Sequence, residues 1–421
     1  MLHLKQVSRS AVVALVVLAV GAAAVDALTS EPQPTLAVGA VHPLTGALAN
    51  FGLPMEYGVL LAADEVTRAG GIAGHYLDLL LRDSQTTSAG AEAAACDLLE
   101  THRVPAIIGP AGSANTLAVA KLTVEAGVVQ ASGSSTSPAI SSVKDDGLLF
   151  RTVPSDAFQG VVMAKKVAAD GHRNVAIINL DDAYGNALAQ VFAREFLGAG
   201  EDRAVTARVA FDEFALGDGG ASRILESVIA SEPQAIVLIA FQFEGHAFLS
   251  AWEPEAWEGS WYLSDGMREP ALTAGEDARG RPMRVKLEGI VGTAPARSQS
   301  AAFERFRDAY LKRYGREPGG FSENAYDAAM VIFLALEKTG GKGGEALKQA
   351  LVDVANPPGV EVGPGEYARA VGLLAAGAEI DYQGASGPID FDDNGDVAGA
   401  IDIWRFESDG SIGTVETVVP Q

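Results

Sequence analysis

Residues 106–138 read AIIGPAGSANTLAVAKLTVEAGVVQASGSSTSP. AIIG is a short apolar run, too short for a helix and bounded by Gly and Pro. ANTLAVAKLTVEAG has the length and apolar spacing of a helix, and VVQAS is a second short apolar run. Strand, helix and strand within about thirty residues form the repeating unit of a parallel sheet with helical crossovers. The same rhythm runs outward in both directions. Upstream come TLAVGAV (strand), LPMEYGVLLAADEVTRAGG (helix), LDLLLRD (strand) and SAGAEAAACDLLETH (helix). Downstream, after LLFRTVPS, a second series begins with the helix FQGVVMAKKVAAD and the strand NVAIINL. It continues through YGNALAQVFAREFLGAG, AVTARVAF, ASRILESVIAS, AIVLIA, EGHAFLSAW and SWYLSD, then GIVGTAPA. Three helices follow, SAAFERFRDAYLKRYG, SENAYDAAMVIFLALEKTG and EALKQALVDVA, and the chain closes on a β-rich tail. The two series match in rhythm and not in residues, so they are no sequence repeat.

The chain has 421 residues, more than one hydrophobic core usually supports, so two α/β units are expected. Its formal net charge is −23. That argues against nucleic acid and anionic lipid as partners, because phosphate contacts need clustered Lys and Arg. The first residues, MLHLKQVSRS, carry Lys5 and Arg9 and no acid, and an apolar run to Val25 with small residues to Ala27 follows. This is the order of a secretory signal over residues 1–27, with an uncleaved anchor helix as the alternative. The sole cysteine, Cys96, reads as a small apolar residue on a helix, and no disulfide or cysteine metal site is available.

In open α/β sheets, ligands sit beyond the carboxyl ends of the strands. Three polar segments lie there: GPAGSANT, SGSSTSP and SDGMR. Neither serine-rich stretch completes the G-x-S-x-G elbow of a hydrolase. The six histidines show no zinc-ligand spacing. TGGKGGE lacks the Ser or Thr of a phosphate loop, and no G-x-G-x-x-G follows the first strand, so no cofactor is expected. DFDDNGD, from Asp390 to Asp396, matches the start of a calcium loop, but Ile401 stands where the closing Glu belongs, and a tight Asn-Gly turn accounts for it better. Ser113 precedes a helical segment, where a hydroxyl and free N–H groups make an anion site. In SGSSTSP, Ser137 and Pro138 suit the start of a helix, leaving Ser135 and Thr136 to face the crevice. Asp265 offers a carboxylate and Tyr184 an aromatic hydroxyl on the second series. Anion donors on one unit and a carboxylate on the other have the polarity to clamp a zwitterion.

These residues, with VHPLTGALANFG, FRTVPSDAFQG, DDAYGN and GASGPIDFDDNGD, resemble the periplasmic substrate-binding proteins of branched-chain amino-acid (Leu/Ile/Val-type) ABC transporters. The resemblance runs from about Leu36 to the end. It implies a two-lobed type I periplasmic-binding-protein fold, each lobe a mainly parallel sheet flanked by helices, with three crossovers at a hinge. By it, lobe 1 comprises residues 36–153 and 296–385, and lobe 2 residues 154–295 and 386–421. It places the ligand carboxylate on Ser113, Ser135 and Thr136, and the ammonium on Asp265. Tyr184 and Phe51 become aromatic contacts, with Gln242 or Phe243 where the family carries a further aromatic or a glycine. Asp265 stands where leucine-type members have the longer Glu. The function implied is that of a monomeric, non-enzymatic periplasmic protein that captures an amino acid or related small carboxylate and delivers it to a membrane ABC permease. A ligand sensor of the same fold and, more remotely, a serine hydrolase are the alternatives.

Overall fold

The computed structural model describes residues 34–270, 272 and 287–420. The expected signal segment, residues 1–27, lies outside the described residues. Two sheets organise the chain, each with its own core.

The first sheet is built from β1 (Thr35–His42), β2 (Tyr76–Asp83), β3 (Ala106–Ile108), β4 (Val129–Ser132) and β5 (Leu149–Arg151). The strands lie in the order β2-β1-β3-β4-β5, all parallel. Helices α1 (Ala49–Arg68), α2 (Ser88–Cys96) and α3 (Ser113–Ala126) make the crossovers. Alternation along the strands divides the apolar side chains between two faces. Val38, Ala40, Ala106 and Ile108 enter the main core, whereas Val41 and Ile107 meet Ala91, Ala95 and Val119 on the other side. A strand buried on both faces reads as a continuous apolar run, which is why TLAVGAV and AII were legible.

The second sheet contains β6 (Asn174–Leu180), β7 (Ala204–Phe211), β8 (Ala235–Ile239), β9 (Ser260–Leu263), β10 (Val291–Pro295), β13 (Ile401–Phe406) and β14 (Ile412–Val418). Its order is β14-β13-β10-β9-β8-β6-β7. Here α4 (Asp156–Ala169), α5 (Ala183–Gly198), α6 (Gly220–Ile229) and α7 (Gln242–Ala251) cover the faces. The parallel part, β7-β6-β8-β9-β10, repeats the 2-1-3-4-5 order of the first sheet, and β13 and β14 add an antiparallel margin. Isoleucines 177, 178, 236 and 239 fill this core with Trp261 and Trp404.

After β10 the chain returns to the first sheet. Helices α8 (Ala301–Tyr314), α9 (Ser322–Thr339), α10 (Glu345–Ala355) and α11 (Tyr367–Ala375), with the short paired strands β11 (Val360–Val362) and β12 (Ile380–Tyr382), complete the first lobe. α9 is the spine of that lobe, since nearly every side chain from Ala325 to Leu336 is buried. The β11-α11-β12 unit was not anticipated from the sequence, nor was β5, whose residues LFR were read as the lead into the second series.

The chain passes between the sheets three times, at residues 152–155, 296–300 and 398–400. Thr152 and Asn324 exchange two hydrogen bonds of 2.7 Å, tying the first passage to α9. Residues 386–397, expected in the second lobe, pack on the first instead. Ile389, Phe391 and Val397 enter its core, and the Phe391 ring lies 5.0 Å from that of Phe150. The cause is apolar demand: the first core has an open flank that this segment fills before the chain reaches β13.

Candidate functional site

In both sheets the strand order reverses beside the first strand of the series, between β1 and β3 and between β6 and β8, and crevices form at such points. The two crevices face each other. The loops after β1, β3 and β4 on one lobe and after β6, β8 and β9 on the other line one cavity between the lobes. The lobes are in contact around it: the Ser137 hydroxyl donates to the Ala183 carbonyl at 2.7 Å, and the Asp156 N–H donates to the Thr136 carbonyl at 2.8 Å.

On the first lobe the cavity meets the start of α3. Gly112 precedes that helix with φ of 84°, a conformation that favours glycine, and no side chain caps the helix. The opening N–H groups of α3 are thereby left for a guest, where the helix dipole favours negative charge. The Ser113 hydroxyl oxygen accepts the Ser137 N–H at 3.1 Å, so its own proton is available to the cavity. The opposing helix α5 offers no such site, because Asp182 accepts the Gly185 N–H at 2.8 Å.

The hydroxyl-rich loop is held tightly to α9. A Cβ on Gly133 would lie 2.7 Å from the Ala325 backbone, so glycine allows that approach. Beyond it the side chains alternate, and Ser134 and Thr136 line the cavity. Ser135 does not. It points into the lobe, sharing a 2.8 Å hydrogen bond with Thr116. The sequence reading paired Ser135 with Thr136, but extended backbone sends adjacent side chains to opposite sides. Ser134, which that reading passed over, has a buried hydroxyl oxygen with no hydrogen-bond partner among the described residues. Thr136 donates its hydroxyl to Asp156 at 2.8 Å and therefore turns lone pairs, not a proton, toward other neighbours. Ser137 caps no α-helix; its hydroxyl bridges to Ala183 and only a short 3₁₀ turn, Ile140–Ser142, follows.

On the second lobe Asp265 is 5% exposed. It accepts the Tyr184 hydroxyl at 2.6 Å and the Gln159 amide at 3.0 Å, and among the described residues no Lys, Arg or His pairs with it. Burial raises its carboxyl above the ordinary range, opposed by those hydrogen bonds. Burial, and then the charge of Asp265, raise Asp156 well above that range. Burial and the nearby carboxylates likewise keep the Tyr184 phenol protonated.

Two aromatic pairs form the walls. Phe51 and Phe321 meet on the first lobe with ring centroids 5.7 Å apart, and Tyr184 stacks on Phe241 across 5.3 Å on the second. Phe241 occupies the place for which Gln242 or Phe243 was considered. Gln242 is the first residue of α7 and does not line the cavity, and Phe243 is 53% exposed. So Ser113, Thr136, Tyr184, Asp265 and Phe51 converge on one cavity, and Ser135 and Gln242 do not. Phe321 and Asp156 went unread because neither directly follows a strand: Phe321 sits in the turn between α8 and α9, and Asp156 opens α4 after the first passage between lobes.

DFDDNGD forms a turn that bonds to itself: the Asp392 carboxylate accepts the Asn394 and Asp396 N–H groups at 2.8 and 3.0 Å. Among the described residues no cluster of His, Cys, Asp and Glu is arranged to hold a metal, and no helix is long and apolar enough to cross a membrane.

Residues 55–409 match the family model described as receptor family ligand binding region. The chain belongs to that family. A chemotactic signal transduction system substrate-binding protein, BasB of Halobacterium salinarum, is 28% identical over 366 residues, 85% of this chain and 83% of the relative. The crystal structure of a leucine binding protein, LivK of Thermotoga maritima, superposes with a TM-score of 0.76 at 24% identity, covering 92% of this chain and 99% of that one. A solute binding protein of an ABC transporter from R. palustris, in complex with 4-hydroxybenzoate, gives 0.73 at 21% identity, with 92% and 98% covered. The fold is that of the two-lobed type I periplasmic binding proteins, and the family is one of ligand-binding regions.

Proposed function

We propose that this protein captures an amino acid with an apolar side chain between its lobes, outside the cytoplasm, and hands it to a membrane ABC permease. The observation that carries the reading is the opposed polarity of the cavity. One end has the uncapped start of α3 with the Ser113 hydroxyl, and the other has a buried, cation-free Asp265. An amino-acid carboxylate accepts from the first, and its ammonium donates to Asp265 and to the Thr136 lone pairs. The Phe51–Phe321 and Tyr184–Phe241 walls suit an apolar side chain. A benzoate, as in the R. palustris neighbour, satisfies the carboxylate end but leaves Asp265 unmatched, and a buried unpaired charge is costly. Export by residues 1–27 and a monomeric state belong to this reading.

Titration calorimetry against the twenty amino acids and benzoates tests it. An apolar amino acid binds; Ser113→Ala weakens it about 10- to 100-fold, the worth of a charge-assisted hydrogen bond. Binding of benzoates alone, or of no amino acid, refutes it. The name of the Halobacterium relative favours a second reading, delivery to a chemotaxis transducer. Ligand-loaded protein that stimulates the ATPase of a reconstituted permease decides for transport.

A further inference from the structure

Asp156 and Asp265 both belong to the second lobe, and the first lobe seals them from water. Asp156 is 0% exposed and Asp265 5%. Asp156 has one oxygen on the Thr136 hydroxyl and the other without a hydrogen-bond partner among the described residues. The side-chain oxygen of Gln159, which donates its amide to Asp265, is unpartnered as well. Around the two acids stand Tyr184 from α5, Thr293 from β10, Thr136 from the serine-rich loop and Arg151 at the end of β5. Arg151 is the one cation there among the described residues, and its bonds go to Asp396, Ser141 and the carbonyls of Ser135 and Ser137. Asp182 caps α5 on the Gly185 N–H, and burial pushes Glu269, four residues beyond Asp265, up to about 7 against the opposing charge of Arg297.

In the closed cleft two neighbouring carboxyls are buried, and the nearest cation, Arg151, opposes their burial only through its field, since its donors are taken by other groups. Desolvation and like-charge proximity both disfavour the doubly ionised form. The two Thr136–Asp156 bonds span the lobes, so they break when the lobes part.

We propose that the Asp156–Asp265 pair is a closure gate: the empty cleft closes only when the pair takes up a proton, and a ligand ammonium takes that proton's place. This rests on the cleft being the ligand site. It explains how one chemical group sets both specificity and conformation. A ligand shifts an equilibrium only by its differential affinity for the two states, and an ammonium has that preference for the closed one. A neutral or purely anionic guest relieves nothing at this end. The sign follows: the closed form binds the proton more tightly, so falling pH favours closure of the empty protein.

Small-angle scattering on the ligand-free full chain between pH 8 and pH 4.5 tests this. The wild-type radius of gyration is expected to fall as pH falls. The doubly neutral Asp156→Asn/Asp265→Asn variant is expected to be compact at pH 8 and insensitive to pH. Asp156→Asn alone shifts the compaction to higher pH and serves if the double variant does not fold. Glu269→Gln removes a half-buried carboxyl that titrates in the same range; a pH response lost in that variant and kept in Asp156→Asn/Asp265→Asn assigns the switch to Glu269 and overturns the gate. A wild type that is already closed at pH 8, or neutral variants as extended as wild type at every pH, overturns the gate. Failure of every amino acid to bind the wild type refutes the transport reading and leaves the scattering result to judge the gate.

Discussion

Replacing Asp396 by alanine is expected to cost the first lobe more than any surface ion pair would. Arg151 is fully buried. Its Nε and Nη2 donate to the two Asp396 oxygens at 2.6 and 2.7 Å, and Nη2 also reaches the Ser141 hydroxyl at 2.8 Å. Nη1 donates to the carbonyls of Ser135 and Ser137 at 3.3 and 2.9 Å. Asp396→Ala leaves the guanidinium buried, with its charge unmatched and two donors stranded. Removing one partner of a buried pair costs about 3–5 kcal/mol. Asp396→Asn keeps an acceptor and loses the charge, so it is expected to lie between wild type and alanine. The assay is urea unfolding of the ligand-free protein, followed by far-UV circular dichroism and tryptophan emission together. All four tryptophans, 252, 257, 261 and 404, pack in or against the second core, so their emission reports that lobe. The dichroism midpoint should drop and separate from the emission midpoint. A loss below about 1 kcal/mol, the worth of an exposed pair, would show that Asp396 does not carry the charge of Arg151.

His42 is buried without hydrogen-bond partners for either ring nitrogen among the described residues, and burial lowers its pKa from 6.5 to about 4. The unfolded chain binds that proton first, so stability is expected to fall between about pH 6.5 and pH 4, by roughly 3 kcal/mol in total. His42→Gln should flatten that part of a stability–pH profile; an unchanged profile refutes the assignment. A Cβ on Gly58 would lie 2.2 Å from the Ser322 carbonyl, where α1 crosses α9, so Gly58→Ala is expected to destabilise by about 1–3 kcal/mol in the same urea assay. Phe241→Ala opens one aromatic wall and is expected to weaken amino-acid binding by about tenfold or more in calorimetry, with little change in unfolding.

The strands and helices of both parallel series were legible because burial on two faces writes continuous apolar runs, and crossover helices separate them at regular length. The short pieces β5, β11 and β12 were not, since LFR, VEV and IDY each carry a charged residue and lack the apolar run that marks the equally short β3, AII. The place of Ser113 was legible as well: a serine at a helix start follows from the local chain alone. Ser135 and Gln242 were misplaced for a local reason that only coordinates resolve, a one-residue register in a loop. Phe321 lines the cavity from the turn before α9, Asp156 stands behind Thr136 at the start of α4, and no spacing along the chain marks either.

The sequence by itself determined the alternation of elements, the division into two α/β series and the chemistry offered at the strand ends, because each depends on contacts within a few tens of residues. The tertiary structure decided which lobe residues 386–397 fill, which hydroxyls face the cavity, and that Asp156 stands beside Asp265. The first and last of these depend on pairs more than a hundred residues apart, such as Asp396 with Arg151 and Gln159 with Asp265, and the hydroxyls on partners some twenty residues away. Their strength comes from shared burial, and burial is a property of the folded whole.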